Sequence, residues 1–424
     1  MNCFRRARRD NFKGILQMEV VYRCCCGIDV HKKMIAACLN NGGKRELREF
    51  GTTTGEIKVL ANWLTEAGCE MIAMESTGVF WKPLYNLFEL MGLDAIVVNA
   101  SHMKALPGRK TDVKDAEWIA DLLRHGLLKA SYIPDREQRE LREIARYRKS
   151  LIEERSREVC RLQKVLEGAN IKLDSVVKDI NGKSARKLLD RIIANEAPDS
   201  EEVAQMIHGR LLPKLDQLMQ SIEGITTPLQ RRLISQIVDH IDDMTKRIAD
   251  MDDLIKGYME KYEAAIAAVD ELPGIARRSA EVIIAEIGTD MGRFPSAAHL
   301  CSWAGVCPGN NKSAGKRSHG KTTKGNKALK SILTQCAKAA KNCKDSYFSA
   351  QYQRIAARRG KNRATIAVAH SMLIAIYHIL KHGIAFKDLG SDYYDSFNRE
   401  HKIKGYLKRL QALGWSPDLV SITA

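Results

Sequence analysis

The sequence predicts an α/β N-terminal domain, a helical coiled-coil middle and a mainly α-helical, basic C-terminal domain. Three observations carry this reading. Strand-like and helix-like runs alternate over residues 20–130. A strict heptad seam lies in the charged, aromatic-poor region that follows. Beyond residue 290 acidic residues nearly vanish while lysine and arginine persist. At 424 residues the chain is too long for one ordinary core, so two or three domains are expected.

The first domain reads in order. VYRCCCGIDVH (21–31) and MIAACLN (34–40) are apolar strand runs around a His-Lys-Lys turn. Asn41-Gly42-Gly43 is a turn signal, and a third strand follows in RELREFGT. GEIKVLANWLTEAG (55–68) spaces Ile57, Leu60, Trp63 and Leu64 as a helix and stops at Gly68, a C-cap residue. EMIAMES (70–76) is a buried strand, VFWKPLYNLFELMG (79–92) a helix, DAIVVNA (94–100) a strand and DVKDAEWIADLLRHG (112–126) a helix. The order β-β-β-α-β-α-β-α implies a mixed sheet with helices on its faces.

The middle is helical. Ile234, Ile237, Ile241, Met244, Ile248, Met251, Ile255, Tyr258 and Tyr262 alternate spacings of three and four, the seam of a coiled coil within the chain or between chains. Residues 195–215, with Pro198 and Pro213, read as a connector. The expected divisions are 1–18, an extension without fixed structure; 19–134, the α/β domain; 135–268, the helical linker and dimerisation region; 269–390, the basic domain; and 391–424, a tail.

From Met291 to Lys387 eighteen basic residues face one acid, Asp345, a net +17 that equals the charge of the whole chain. Charge confined to one domain is a footprint for a phosphate backbone. A membrane surface is the competing reading, but no amphipathic helix with exposed aromatics stands out. ATIAVAHSMLIAIYHIL (364–380) falls short of a comfortable span and reads as a buried helix. The N-terminus is basic and lacks the apolar stretch of a secretory signal; Met18 is an alternative start. None of the 11 cysteines forms a C-x-x-C pair. Cys301, Cys307, Cys336 and Cys343 have the wrong spacings for common zinc modules, so reduced thiols are expected.

Four acids form the leading chemical constellation. Asp29 lies in the first strand and Glu75 closes the fourth. Side-by-side strands with acids at one end would bring them together. Asp112 and Asp115, three apart, share one helix face. Each alone is more often a cap or a surface residue. Together, four hard oxygen donors suit Mg²⁺ or Mn²⁺, as a pair of ions. ELPGIARRSAEVIIAEIG (271–288) resembles half of a helix-hairpin-helix, in which the turn at Gly274 would offer N–H groups to a phosphate; a plain helix break is the alternative. Residues 309–321 are a Gly-, Asn- and Ser-rich loop with Lys312, Lys316, Arg317 and Lys321, followed by Lys324 and Lys327, a candidate nucleic-acid surface.

These motifs resemble the DEDD-type insertion-sequence transposases, the IS one-ten family, which includes Piv-type DNA invertases. The matching stretches, in order, are CGIDVHKK (26–33), MESTGVFWKPLY (74–85), VVNASHMKALPGRKTDVKDAEWIADLL (97–123), LPGIARRSAEVIIAEIG (272–288) and FPSAAHLCSWAGVCPGNNKSAGKRSHGKTTKGNKALKSIL (294–333). The resemblance implies a ribonuclease-H-like (RuvC-like) first domain whose Asp29, Glu75, Asp112 and Asp115 bind metal. It implies that Ser313 attacks a scissile DNA phosphate and becomes covalently attached. It further implies a bridge RNA pairing with target and donor DNA, dimers joining into tetramers, no membrane, and work in the prokaryotic cytoplasm on the nucleoid. Acids of one subunit can serve the serine of another in this family.

The chemistry of the loop alone favours a passive phosphate contact over a nucleophile. A serine hydroxyl needs activation, and the loop holds no carboxylate; His319 is six residues on. Ser318 and Ser302 are the fallback candidates. A junction nuclease without a covalent step would need the acids but not Ser313, and a nucleic-acid scaffold would need neither. The Arg-rich stretch 136–164 is a candidate RNA surface or a solvated salt-bridged helix.

Overall fold

The computed structural model describes residues 19–76, 78–99, 115–309, 312–313, 316–317, 322–396 and 399–415. Two compact units divide the chain, residues 1–136 and 137–424.

The first unit contains β1 (Cys24–Val30), β2 (Ile35–Asn41), β3 (Lys44–Phe50), α1 (Thr54–Glu66), β4 (Met71–Glu75), α2 (Trp81–Leu90), β5 (Ala95–Val98) and α3 (Asp115–Arg124). The predicted order of elements holds. The sheet runs β3-β2-β1-β4-β5, with β1, β2 and β3 antiparallel and β1, β4 and β5 parallel. Strand alternation sorts side chains to two faces. Cys26, Ile28, Ile72 and Met74 pack with Leu60, Leu64, Leu84 and Phe88 of α1 and α2. Cys25, Ala73 and Val98 pack with Ile119 and Leu123 of α3 on the other face. The helix start at 112 lies outside the described residues; α3 is described from Asp115.

The second unit opens with two long helices, α4 (Arg136–Gly168) and α9 (Pro228–Met259). Thr227 and Gln230 cap α9 reciprocally, with Pro228 in its first turn. The helices lie antiparallel. Glu140 meets Tyr258, Arg148 meets Asp252, Arg155 meets Thr245 and Glu158 meets His240, so one number rises as the other falls. Ile234, Ile237 and Ile241 of the seam share a core with Leu162 and Leu166 of α4. The seam is therefore covered within the chain. Its predicted last member, Tyr262, lies beyond the end of α9 in a 3-10 turn, Glu260–Tyr262.

Between these helices stand α5 (Leu173–Val176), α6 (Lys183–Ala194), α7 (Ser200–Met206), a 3-10 turn at Gly209–Lys214 and α8 (Leu215–Ile222). The connector expected at 195–215 is folded instead, because Val203 and Ile207 join the core at this end of the helix pair. Then follow α10 (Glu263–Asp270), α11 (Arg277–Ile287), α12 (Ala297–Ala304), β6 (Lys312–Ser313), β7 (Lys316–Arg317), α13 (Lys327–Ala340), α14 (Tyr347–Arg359), α15 (Lys361–His382), α16 (Tyr393–Ser396) and α17 (Arg399–Ala412).

The break expected at 268/269 falls inside this second unit. α15 is long and apolar enough to cross a membrane. Val368, Ala369, Met372, Leu373 and Ile376 are instead buried inside the unit, as expected for a core helix. The tail beyond 390 begins packed: Tyr394 stacks on Tyr347 of α14 at 5.3 Å.

Candidate functional site

The acids come first, because the sheet positions them. β1 and β4 run parallel, with Ile28 opposite Met74 as their last pair. Asp29 and Glu75 are the next residue on each strand, at the same sheet end. Alternation turns both away from the Ile28–Met74 core and toward the face that α3 covers.

The direction of α3 follows from its contacts. The Cys25 thiol donates to the Ala120 carbonyl at 3.6 Å. A Cβ on Gly27 would overlap the backbone of Ala116 and Ala120, so only glycine admits the helix this close. Moving from Cys25 to Gly27 thus moves from Ala120 toward Ala116, and the start of α3 points to the Asp29 end. Asp115 opens that helix. Three of the four predicted acids, Asp29, Glu75 and Asp115, share one end of one sheet face. Asp112 lies outside the described residues.

Asp29 is held by His31, whose Nε2 lies 3.0 Å from its Oδ2. Among the described residues no three His, Cys, Asp or Glu side chains are gathered closely enough to hold a metal. The donor chemistry, carboxylate oxygens, fits a hard divalent cation. The nearby thiols do not compete. Burial, reinforced by Cys24, pushes the Cys25 thiol up to about 12, and burial with Glu117 nearby pushes Cys38 up to about 11. No disulfide joins the described cysteines, and Cys301 and Cys336 are buried free thiols.

The predicted serine lies on a two-stranded finger. Pro308 pairs with Thr322, and the Thr323 N–H donates to the Cys307 carbonyl at 3.2 Å. Further out, Lys312 pairs with Arg317 and Ser313 with Lys316. Ser313 thus ends its strand where only two residues separate it from the partner strand. The backbone of Lys312, Ser313, Lys316 and Arg317 is described. Ser318, His319 and Lys321 lie outside the described residues. Ser302 is exposed on α12, and Lys324 and Lys327 are exposed on the finger stem and the first turn of α13.

Comparisons with known proteins bear on both parts. A DEDD IS110 transposase model matches residues 26–171, which include all four acids. A second model, of the IS116/IS110/IS902 transposase family, matches residues 266–353, which include the finger. The chain belongs to the IS110 family of transposases. It is similar to the y4qE protein of Sinorhizobium fredii, a transposase by name, at 25% identity over 73% of this chain and 70% of the relative. It is equally similar, at 25% identity, to the 43.6 kDa protein of insertion element IS110 in Streptomyces coelicolor, over 66% of this chain and 73% of the relative.

The transposase exposes a run of positive charge within the window that the charge count located. Arg358, Arg359, Lys361 and Arg363 are exposed around Gly360, between α14 and α15. Among the described residues, Arg293, bonded to Asp290 at 3.1 Å, is the one basic side chain of 291–387 paired with a carboxylate. Arginines outside this window are largely committed. Arg277 pairs with Glu263 at 2.6 Å and Arg148 with Asp252 at 2.7 Å.

Gly274 does form the turn of a helical hairpin, between α10 and α11. It also has a packing reason to be glycine: its φ is +86°, and a Cβ would strike the α13 backbone at Cys336 and Ala340. The Arg-rich helix α4 spends Arg142 and Arg146 on Glu286 and Arg148 on Asp252 and Glu281. Sequence reading missed Glu286, a buried carboxylate of α11. The available signal was an acid within the apolar run VIIAEIG.

Proposed function

We propose that this transposase cuts and rejoins DNA by attack of Ser313 on a scissile phosphate, using Asp29, Glu75, Asp112 and Asp115 with Mg²⁺. The observation that carries the reading is the shared sheet end of Asp29 and Glu75, with Asp115 opening the helix over the same face. In this reading the four carboxylates would hold the cation, and one of them would take the hydroxyl proton and pass it to the departing DNA oxygen. Bound Mg²⁺ supplies charge neutralisation of the phosphate and lowers the pKa of the attacking hydroxyl. The Ser313 oxygen forms a new ester to phosphorus as the bond to the departing DNA oxygen breaks. A DNA hydroxyl then attacks the serine ester, restoring Ser313 and joining the strands. The exchange of esters is isoenergetic in kind and needs no external energy source.

The lysine-rich finger and the exposed Arg358–Arg363 corner would bind phosphate backbones through their positive charge. By family resemblance, the reading includes a bridge RNA that selects target and donor DNA, dimers assembling into tetramers, and action in the cytoplasm on the nucleoid. Two variants test the chemistry. Ser313→Ala and Asp29→Ala should each abolish strand exchange on a DNA substrate with RNA and Mg²⁺. Hydrolytic cutting by Ser313→Ala would establish the junction-nuclease reading instead. Full recombination by RNA-free protein would remove the guide.

A further inference from the structure

The base of the finger is fastened to a buried charge. The Glu286 side chain is 1% exposed. Its carboxylate accepts from Arg146 Nε at 2.7 Å and Nη2 at 2.8 Å, and from Asn326 Nδ2 at 2.6 Å. Arg142 Nε stands 3.6 Å away, and its guanidinium lies 5.5 Å from the centre of the Trp303 ring.

Asn326 and Trp303 are the two feet of the finger. Trp303 lies in α12, just before the outgoing strand, and Asn326 precedes α13, just after the returning one. The Asn326 N–H donates to the Trp303 carbonyl at 3.1 Å. Its Oδ1 caps α13, accepting from the N–H groups of Ala328 and Leu329 at 3.0 and 3.1 Å. A cap needs only that oxygen. The amide nitrogen is an additional attachment, and it ends on a buried carboxylate already clamped by arginine.

A buried ion pair adds little net stability but holds its members in one arrangement. Groups that do chemistry from a loop need such support to stay in register. We infer that Glu286 is a positioning residue for Ser313, holding both feet of the finger against α4 so that the serine is presented in one orientation. The inference rests on the reading of Ser313 as the nucleophile. Glu286 itself, buried at the base, does not touch the DNA in this account.

The test uses the full-length protein with DNA, RNA and Mg²⁺, and variants that spare the cap. Asn326→Asp keeps a capping oxygen but sets a carboxylate against Glu286. Combining it with Glu286→Gln restores a donor and acceptor in reversed order. Asn326→Asp should slow single-turnover cleavage at saturating DNA by about 10-fold or more, a typical cost of misplacement. DNA affinity should stay within about twofold, and exchange of the Thr323 amide hydrogen should speed about 10-fold. The double variant should recover most of both. A wild-type cleavage rate in Asn326→Asp, or unchanged Thr323 exchange, overturns the inference. So does a joint loss of rate, affinity and melting temperature that the double variant does not restore, since that marks a purely structural pair. A Ser313→Ala arm separates the two readings. If it still cleaves, the serine assignment fails, while Thr323 exchange in Asn326→Asp still reports whether the clamp exists.

Discussion

Asp29 and Glu75 occupy matching positions on neighbouring parallel strands, each one residue beyond the paired Ile28 and Met74. Asp29 pairs with the exposed His31 at 3.0 Å. Two acids at one end of one sheet face suit a shared divalent cation. Asp29→Asn is therefore expected to lower cleavage by more than about 100-fold while the apo protein, which loses only an exposed contact, melts at nearly the same temperature. Mg²⁺ at about 100 times its Kd should stabilise the wild type by about 2.7 kcal/mol and leave Asp29→Asn unaffected. Thermal melts with and without Mg²⁺ check both; equal Mg²⁺ stabilisation of the two proteins would remove Asp29 from the site.

The α4–α9 seam makes a separate prediction. Ile241 is fully buried in it. Ile241→Ala should cost about 2–5 kcal/mol by leaving a cavity. Because α4 of the same chain covers the seam, Ile241→Ala should leave the oligomeric state in solution unchanged, as read by light scattering. Dissociation of the assembly by Ile241→Ala in a protein that is still folded would place the seam between chains.

Arg148 is 2% exposed and lies between Asp252 at 2.7 Å and Glu281 at 3.1 Å. Its removal takes one of two cations from each carboxylate, leaving Arg278 on Asp252 and Arg277 on Glu281. Arg148→Met alone should destabilise by about 1–3 kcal/mol. Adding Asp252→Asn and Glu281→Gln should return much of that loss in urea unfolding. No recovery in the triple variant would show that packing, not charge, sets the cost.

The basic corner should report through salt. Arg358, Arg359 and Arg363 are exposed and have no carboxylate partner among the described residues. Each change to Ala should reduce the slope of log affinity against log salt by about 0.9 for duplex DNA, with stability altered by less than about 0.5 kcal/mol. Unchanged slopes in the triple variant would take this corner off the nucleic-acid surface.

Buried thiols set an alkaline limit. Burial, with Cys307 adding to it, pushes the Cys301 thiol up to about 12. The unfolded thiol ionises near 8.5. The folded form then retains a proton that the unfolded form loses, so the stabilising difference is fully present below about 8.5 and is lost as pH rises toward 12. Each such thiol removes about 1.4 kcal/mol per pH unit in that window. Cys301→Ala should flatten the slope of unfolding free energy between pH 9 and 11 by this amount. An identical slope in both proteins would contradict it.

The legible parts of this chain were those with a period. Strand alternation and helical spacing gave the sheet and its helices in order, and the turn at Asn41-Gly42-Gly43 joined β2 to β3 as read. The seam announced a helix pair, but its partner α4 is so rich in Arg and Glu that its apolar positions, Leu151, Leu162 and Leu166, were masked by charge. The finger was unreadable because Gly, Asn, Ser and Lys carry no alternation; its pairing is backbone, from Pro308–Thr322 outward. Glu286 was missed because a single acid on a helix usually faces water, and only the long-range approach of Arg146 and Asn326 makes burial tolerable.

In the proposed reaction Ser313 becomes joined to DNA in a step that depends on the acids of the first unit. The most direct measurement is mass spectrometry of protein quenched during strand exchange with a labelled DNA substrate. A DNA phosphate ester is expected on the peptide containing Ser313, formed with Mg²⁺ and absent from Asp29→Asn. Strand cleavage with no protein–DNA ester, or with the ester on another residue, would contradict it.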